Sequence, residues 1–517
     1  TMLNFALLNK NESLFKEISE NPSTLATAVI SLLENQSLVI RGKSILTMVL
    51  LLKYFPLQWF TILMSDKKFI TLIDRLTKDS YKYVQYGLMH FIDQINEIMP
   101  IILNVIEEDL TYALSVGDTK DLDVDAVVEQ VMERRMDFKN LKGHMTLVSL
   151  LLVAVTSHLL KSRIVNDHFL EVISNLLNNC EPSMFSGSDE FINAVLAIIE
   201  SISSNQKTLL NNSVPMIQHI LPVLMNNLRS ESNDVKFLSL KIFTDITVHY
   251  VNDDNIFDMR KLQLPMDPAN KALNNKDSVC KYTTELMYEI LFNNLLPNYK
   301  IILEDADPVP LFAIKLLSAL TDRSNEFVTA IDRLGILPSI LEFYSQGHKR
   351  LNRHSIKIIK SIVETPEIPL ESIYDFYIIE NTLSIIDNML EQNQDWCFDV
   401  LTETLYAIIE RIAAHLELQE TIEGDPNLEK AIEILVSSVY SCIELLNTEF
   451  EFQVAEKSSL CLISILTKFA NKHKNDMYLT EEHFKYMLQA LRIESSAIQT
   501  RIIQSLTWFL SYTGKLR

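Results

Sequence analysis

Apolar residues recur along most of this chain at spacings of three and four, which lays one stripe along an α-helix, and strict apolar–polar alternation over six or more residues is hard to find. One helical phrase returns again and again. Val235-Lys-Phe-Leu-Ser-Leu-Lys-Ile-Phe-Thr-Asp-Ile246 aligns with Val309-Pro-Leu-Phe-Ala-Ile-Lys-Leu-Leu-Ser-Ala-Leu320 and with Leu351-Asn-Arg-His-Ser-Ile-Lys-Ile-Ile-Lys-Ser-Ile362. Each is apolar at its first, eighth, ninth and twelfth positions. At about 100° per residue, the first, eighth and twelfth fall nearly on one line. The same template finds Leu38/Ile45/Leu46/Val49, Val84/Phe91/Ile92/Ile95, Phe191/Ile198/Ile199/Ile202 and Leu401/Ile408/Ile409/Ile412. It also finds Ala455/Leu462/Ile463/Leu466, Ile498/Ser505/Leu506/Phe509 and a weaker copy from His144 through Leu151, Leu152 and Val155.

Neighbouring starts lie mostly about 42 to 54 residues apart, close to the ~40–47 of HEAT and armadillo units. One match would mean nothing, because any amphipathic helix yields one; ten at a near-constant period define a repeat. Between the phrases lie partner helices such as Phe69–Leu76, Phe169–Leu177, Met216–Leu228 and Phe327–Tyr344. Asp307-Pro308, Asn233-Asp234 and Ser495-Ser496 offer helix starts. Each unit is then a hairpin that cannot bury its apolar face alone, and stacking supplies the missing core. The pattern predicts an all-α protein over residues 1–517: one right-handed α-solenoid of about ten armadillo/HEAT-like helical hairpins. Two intervals break the period and read as insertions. One is acidic and partly helical, residues 109–142, with Asp118-Thr-Lys-Asp-Leu-Asp-Val-Asp125; the other is a polar loop, residues 252–278. Loops of that length are usually functional or disordered.

Composition narrows the choice. Nine glycines and fifteen prolines compare with about 36 and 26 at average usage, a scarcity that argues against β-rich and nucleotide-binding folds. The formal net charge of −21 and the lack of a basic run argue against binding a phosphate backbone, so no nucleic-acid partner is expected. Five scattered cysteines without a C-x-x-C pair fit a reducing, intracellular setting. Met145 to Leu160, the longest apolar-looking stretch, falls short of the ~20 residues of a membrane span and reads as a buried helix. Thr1 is not an initiator and no signal pattern follows it, so the chain reads as a piece of something longer.

Reaction machinery is not visible. Phosphate loops, the nucleophile elbow, the zinc-protease H-E-x-x-H and the kinase signatures H-R-D and D-F-G are all absent. The expectation is therefore a non-enzymatic region with no catalytic residue, no cofactor and no metal. Asp121, Asp123 and Asp125 imitate the first ligands of a calcium loop, but Ala126 and Met132 stand where glycine and a bidentate Glu are needed. One feature remains. Lys241, Lys315 and Lys357 share one register position, about 120° from the apolar line at ~100° per residue. They are the candidate partner-binding residues: a basic ridge along the solenoid groove that could grip an acidic segment. The alternative is that they solvate a flank or pair with carboxylates of the next repeat, since surface ion pairs are common and weak.

The repeat phrases also carry a resemblance. Ser37-Leu-Val-Ile-Arg-Gly-Lys-Ser-Ile-Leu, the Val235 phrase, and Leu296-Pro-Asn-Tyr-Lys followed by Asp307-Pro-Val-Pro-Leu-Phe-Ala-Ile-Lys-Leu-Leu resemble, in that order, the C-terminal armadillo/HEAT region of the fourth unc-51-like kinase family. These are Fused-related pseudokinases whose plant counterpart is called Runkel. The phrases are packing motifs, so no catalytic residue carries over. The resemblance implies an upstream kinase-like domain outside this chain. It also implies a microtubule-linked scaffold, located in the cytoplasm or cytoskeleton and in the cilium or flagellum, with axonemal proteins and a Fused-type kinase as partners. Two other readings stay open: a transport receptor or coat-like adaptor, and a regulatory region that positions an attached kinase domain.

Overall fold

A computed structural model describes residues 2–117, 144–182, 184, 188–263, 276–345, 352–375, 377–391 and 397–418, with scattered short stretches between 488 and 507. Every regular element among them is helical. The described helices fall into two compact units, Thr1–Leu291 and Phe292–Arg517.

In the first unit, α1 (Met2–Leu8), α2 (Glu12–Glu20) and α3 (Pro22–Leu32) lead into α4 (Leu38–Tyr54), the first copy of the phrase. Then come α5 (Pro56–Ser65), α6 (Lys67–Leu76) and the long α7 (Lys82–Gly117), the second copy. The third copy is α8 (His144–Thr156), followed by α9 (His158–Ile164) and α10 (Asp167–Asn178). The fourth, α11 (Ser188–Ser203), precedes α12 (Gln206–Asn211) and α13 (Leu221–Asn227). The fifth is α14 (Asn233–Val251), and α15 (Lys276–Tyr288) closes the unit. The phrase helices pack one on the next, α4 on α7, α7 on α8, α8 on α11 and α11 on α14, and make a ladder. The intervening helices pack beside it and close the hairpins, as α3 and α5 do on α4 and α13 does on α14.

The template explains the core. Val84, Phe91, Ile92 and Ile95, and likewise Phe191, Ile198, Ile199 and Ile202, and Val235, Ile242, Phe243 and Ile246, are buried. Burying one such side chain is worth about 1.5–3 kcal/mol, so each rung is held by its neighbours rather than by itself. Asparagine starts several helices, where a side-chain oxygen satisfies an otherwise unpaired N–H: Asn166 accepts from Phe169 N at 2.9 Å and Asn205 from Thr208 N at 3.0 Å.

The second unit repeats the plan. It begins with α16 (Tyr299–Leu303), and its ladder is α17 (Val309–Arg323), α20 (Arg353–Glu364) and α23 (Phe398–Leu418). Between these rungs run α18 (Asn325–Arg333), α19 (Leu337–Ser345), α21 (Leu370–Asp375) and α22 (Ile378–Glu391). Leu316, Leu317, Leu320, Ile358, Ile359, Ile362, Ile408 and Ile412 are buried as the register requires.

Several expectations need correcting in detail. Phe327–Tyr344 is two helices: Gly335 takes φ +66°, a conformation that glycine adopts without strain. Ile336 N–H then bonds Ile331 O and closes the turn. Met145–Leu160 is likewise a bent pair, the helices turning 112° at Ser157, whose hydroxyl bonds Asp74 at 2.6 Å and accepts from Leu160 N. Among the described residues no single helix is long and apolar enough to cross a membrane. Within Met216–Leu228 the first turn, Met216–Ile220, is π-helical. Pro222 supplies no N–H to continue the ordinary ladder, and the wider turn absorbs that loss. The Val309 helix takes Pro308 as its cap position and Pro310 within its first turn, so Asp307 does not cap it.

The insertions also differ from the reading. Asp109–Gly117 continues α7, which runs 36 residues; residues 118–143, with the acidic run, lie outside the described residues. Of the polar loop, residues 252–263 pack against α15: Ile256 and Phe257 are buried, Thr283 donates to Ile256 O at 2.5 Å and Asp258 N–H donates to Thr284 at 3.1 Å. Residues 264–275 are outside the described set. The ninth copy, from Ala455, lies outside it too, and of the tenth copy's template positions, Ile498, Ser505, Leu506 and Phe509, only Leu506 is within it.

Candidate partner-binding surface

Polar groups on the ladder mostly join one rung to the next. In the first unit, Arg41 at the start of α4 sends Nε and Nη2 to Asp79 Oδ2 at 2.9 and 2.7 Å, and Nη1 to Asn35 O at 2.8 Å. Asp79 Oδ1 accepts from Tyr81 N–H at 2.9 Å. Burial pushes the Asp79 carboxyl up, but the Tyr81 N–H and Arg41 outweigh it and hold the group below its ordinary value. Lys161 is buried, which pulls its ammonium below the usual lysine range, and Nζ donates to Ser201 O of α11.

Lys241 on α14 meets Glu200 on α11 at 2.6 Å. That hydrogen bond holds the lysine above its ordinary value, against a smaller opposing effect of burial. In the second unit, Lys357 on α20 stands 3.9 Å from Asp322 on α17. Lys360, one turn further along α20, meets Glu403 on α23 at 2.5 Å. Lys315 lies over the Phe312 ring at 5.7 Å, within cation–π range. Burial first, then Lys357 and Lys315, lower His354, so this histidine is biased toward its neutral form. The structure thus brings Lys315 and Lys357 to one neighbourhood around His354. The carboxylates that answer Lys241 and Lys357 come from the preceding rung, not the next one. Among the described residues no group of three or more His, Cys, Asp or Glu is placed to hold a metal ion.

Within each unit, helical hairpins stack rung on rung, each ladder helix after the first seated on the one before it, which is the plan of an armadillo/HEAT-like α-solenoid. Residues 122–329 match the family model of the HEAT repeats of ULK4-like serine/threonine-protein kinases, so the chain carries a ULK4-like HEAT-repeat region. Among curated proteins it is similar to the serine/threonine-protein kinase RUNKEL of Arabidopsis thaliana, at 24% identity over 71% of this chain and 24% of that protein. It is also similar to the serine/threonine-protein kinase ULK4 of Mus musculus, at 21% identity over 50% of this chain and 20% of that protein. The chain therefore spans a quarter or less of the length of these relatives. Among solved structures it is similar to a designed armadillo repeat protein, with a TM-score of 0.37 and 14% identity, over 57% of this chain and 99% of that one.

Sequence reasoning missed one group of surface residues. Leu38 and Leu46 occupy the core positions of the first copy, yet both are exposed, and Val39, Tyr83, Tyr86 and Met89 near them are exposed as well. The available signal was compositional: α4 and the start of α7, Lys82 to Ile92, contain no Asp or Glu in a strongly acidic chain.

Proposed function

We propose that this chain is a non-enzymatic scaffold region of a ULK4-like protein, holding partner proteins on its ladder of helices within a cilium-associated or other microtubule-based assembly. What carries the reading is the ULK4-like HEAT-repeat match over residues 122–329 on a stacked-hairpin fold. Long repeat surfaces made of near-equivalent rungs suit the docking of extended partners. Within this reading, Lys241, Lys315 and Lys357 are contact points for acidic partner segments, and an incoming carboxylate would exchange with Glu200 at Lys241 and with Asp322 at Lys357. Such an exchange costs little, since exposed pairs are worth about 0–1 kcal/mol.

The relatives are named as serine/threonine-protein kinases and extend well beyond this region, which supports a kinase-like domain elsewhere in the same protein; a Fused-type kinase among the partners is part of the proposal. The test is affinity purification of the endogenous protein, tagged at its C-terminus, with mass spectrometry of bait and partners. Axonemal or tubulin-associated proteins, together with bait peptides from a kinase-like domain, are the expected result. Recovery of transport cargo, small GTPases or coat subunits instead would overturn the microtubule reading.

A further inference from the structure

The first copy of the phrase departs from the rule that the others obey. Leu38 and Leu46 stand at positions that are buried in the second, fourth, fifth and sixth copies, but they are 40% and 42% exposed. On the neighbouring rung Tyr83 is 69%, Tyr86 59% and Met89 58% exposed. Single exposed apolar side chains need no account, but a contiguous group rimmed by polar residues marks an interaction surface.

These residues border one seam. Gly42 of α4 lies against the backbone of Tyr83, such that a Cβ there would sit 3.7 Å from it. One turn further, Gly87 of α7 lies so close to Ile45 that an added Cβ would come within 3.1 Å. The two helices therefore run in the same direction and touch where neither glycine projects a side chain. Leu38 and Leu46 lie four residues before and after Gly42, and Tyr83 and His90 four before and three after Gly87, so these residues flank the contact along the two helices. The Tyr83 ring is steadied by Tyr81, with centroids 5.3 Å apart. The Arg41–Asp79 pair fixes the two helix starts beneath it. The contact is thus flanked by exposed apolar and aromatic side chains from both helices.

Its charge is opposite to that of the molecule. The chain carries −21, yet α4 and the first turns of α7 hold no carboxylate, and Lys43, Lys53 and Lys82 are exposed there. Tyrosine and methionine are enriched at protein interfaces, and lysine supplies orientation and encounter rate more than affinity. The exposed apolar and aromatic side chains come from two adjacent helices only, a strip that suits the apolar face of one helical segment better than a bilayer surface.

We propose that the α4–α7 seam docks an acidic amphipathic segment of a partner protein, with its apolar side chains against Leu46, Tyr83 and Tyr86 and its carboxylates toward Lys43, Lys53 and Lys82. This rests on the scaffold reading above and assigns it a face and a partner chemistry.

The test is selection of a random peptide display library, each peptide a few helical turns long, on the full chain, followed by hydrogen-exchange footprinting of the winners. The winners should combine Asp or Glu with apolar anchors and protect Leu38–Tyr54 and Lys82–Ile92. They should bind the doubly substituted Leu46→Ser, Tyr86→Ser chain roughly tenfold or more weakly, as truncating interface anchors does. Both positions are exposed, so unchanged exchange at the buried Ile45 and Phe91 certifies the fold of that variant. Winners without acidic enrichment, undiminished binding to the variant, or no winners at all would overturn the proposal. Footprints on Ser188–Ser203 and Asn233–Val251 would overturn it while leaving the scaffold reading intact. Binding of phosphatidylserine vesicles that the substitutions abolish, without any peptide, would replace it with a membrane surface.

Discussion

Replacing Arg41 with Met removes the cation that answers Asp79. The two side chains are only 16% and 8% exposed, so water replaces little of what is lost. Asp79 Oδ2 forfeits donors at 2.9 and 2.7 Å and keeps, on Oδ1, the Tyr81 N–H alone; Asn35 O loses its partner at 2.8 Å. Breaking a buried pair from one side costs about 3–5 kcal/mol. The surviving N–H and partial access of water place Arg41→Met near the lower end, about 3 kcal/mol. Adding Asp79→Asn removes the stranded charge and preserves an acceptor for Tyr81, so the double variant should be more stable than Arg41→Met by at least ~1 kcal/mol.

Because repeat arrays open locally, the readout is hydrogen exchange of peptides from Leu38–Tyr54 and Lys82–Ile95, corrected for intrinsic rates. At about 1.4 kcal/mol per decade, exchange there should speed up roughly a hundredfold. The pH dependence has a definite sign. In the native chain Asp79 is held low, so its contribution is present above the unfolded value near ~3.9 and is lost as pH falls through the lower folded value. In Arg41→Met, burial acts without its counterweight and raises the carboxyl; protonation then relieves the penalty, and the gap between the two chains narrows as pH falls from neutral toward ~5. A gap of the same size at both pH values, or unaltered exchange in α4 and α7, would refute this account.

Other outcomes follow from the same packing. Ile242→Asp places a charge at a fully buried position on α14, and a loss above ~4 kcal/mol should strip protection from Ser188–Ser203 and Asn233–Val251 while leaving α4 protected; uniform unfolding, or none by proteolysis and circular dichroism, would mean that the register is misplaced. Gly42→Ala meets only ordinary contacts and should stabilise by about 0.5–1 kcal/mol through helix propensity, whereas Gly87→Ala drives a methyl into the buried, β-branched Ile45 and should gain nothing or lose stability in urea titrations. Lys241→Met should shift stability by less than about 1 kcal/mol, since Lys241 and Glu200 are 35% and 39% exposed; the small contribution of the pair is fully present below ~10.4, the unfolded lysine value, and fades as pH rises through the raised folded value. Burial first, then nearby carboxylates, push the Cys180 and Cys397 thiols up to about 12; alkylation at pH 8 should therefore be slow in the native chain and follow unfolding, and prompt modification would show that these sites are open.

How much of this was legible beforehand follows from what each residue reports. The phrase positions report packing: Ile242, Leu316, Ile358 and Ile408 are each buried against neighbouring rungs, so the 3.6-residue period carried the hairpin architecture into the sequence. Boundaries were harder to see. The Gly335 break depends on one left-handed residue, and the bend at Ser157 on a hydroxyl that reaches Asp74, a residue 83 positions away. The partners of Lys241 and Lys357 were invisible for the same reason: Glu200 and Asp322 belong to the preceding rung, and nothing local to the lysine marks them.

A repeat hides its function in its exceptions. Where a side chain obeys the common register, stacking already accounts for it, and no further role is needed to explain an apolar residue there. Leu38 and Leu46 obey the register in sequence and break it in space, because two glycines let α4 and α7 close on one another with those leucines outside the contact. An apolar residue that a fold leaves in water confers no stability, and an acid-free helix in a chain of net charge −21 is not the default solvated surface. Both departures fall on the same two helices, although the apolar exposure and the missing carboxylates are independent properties. Coincidence of independent departures at one place is the argument for testing the α4–α7 seam before the lysine ridge.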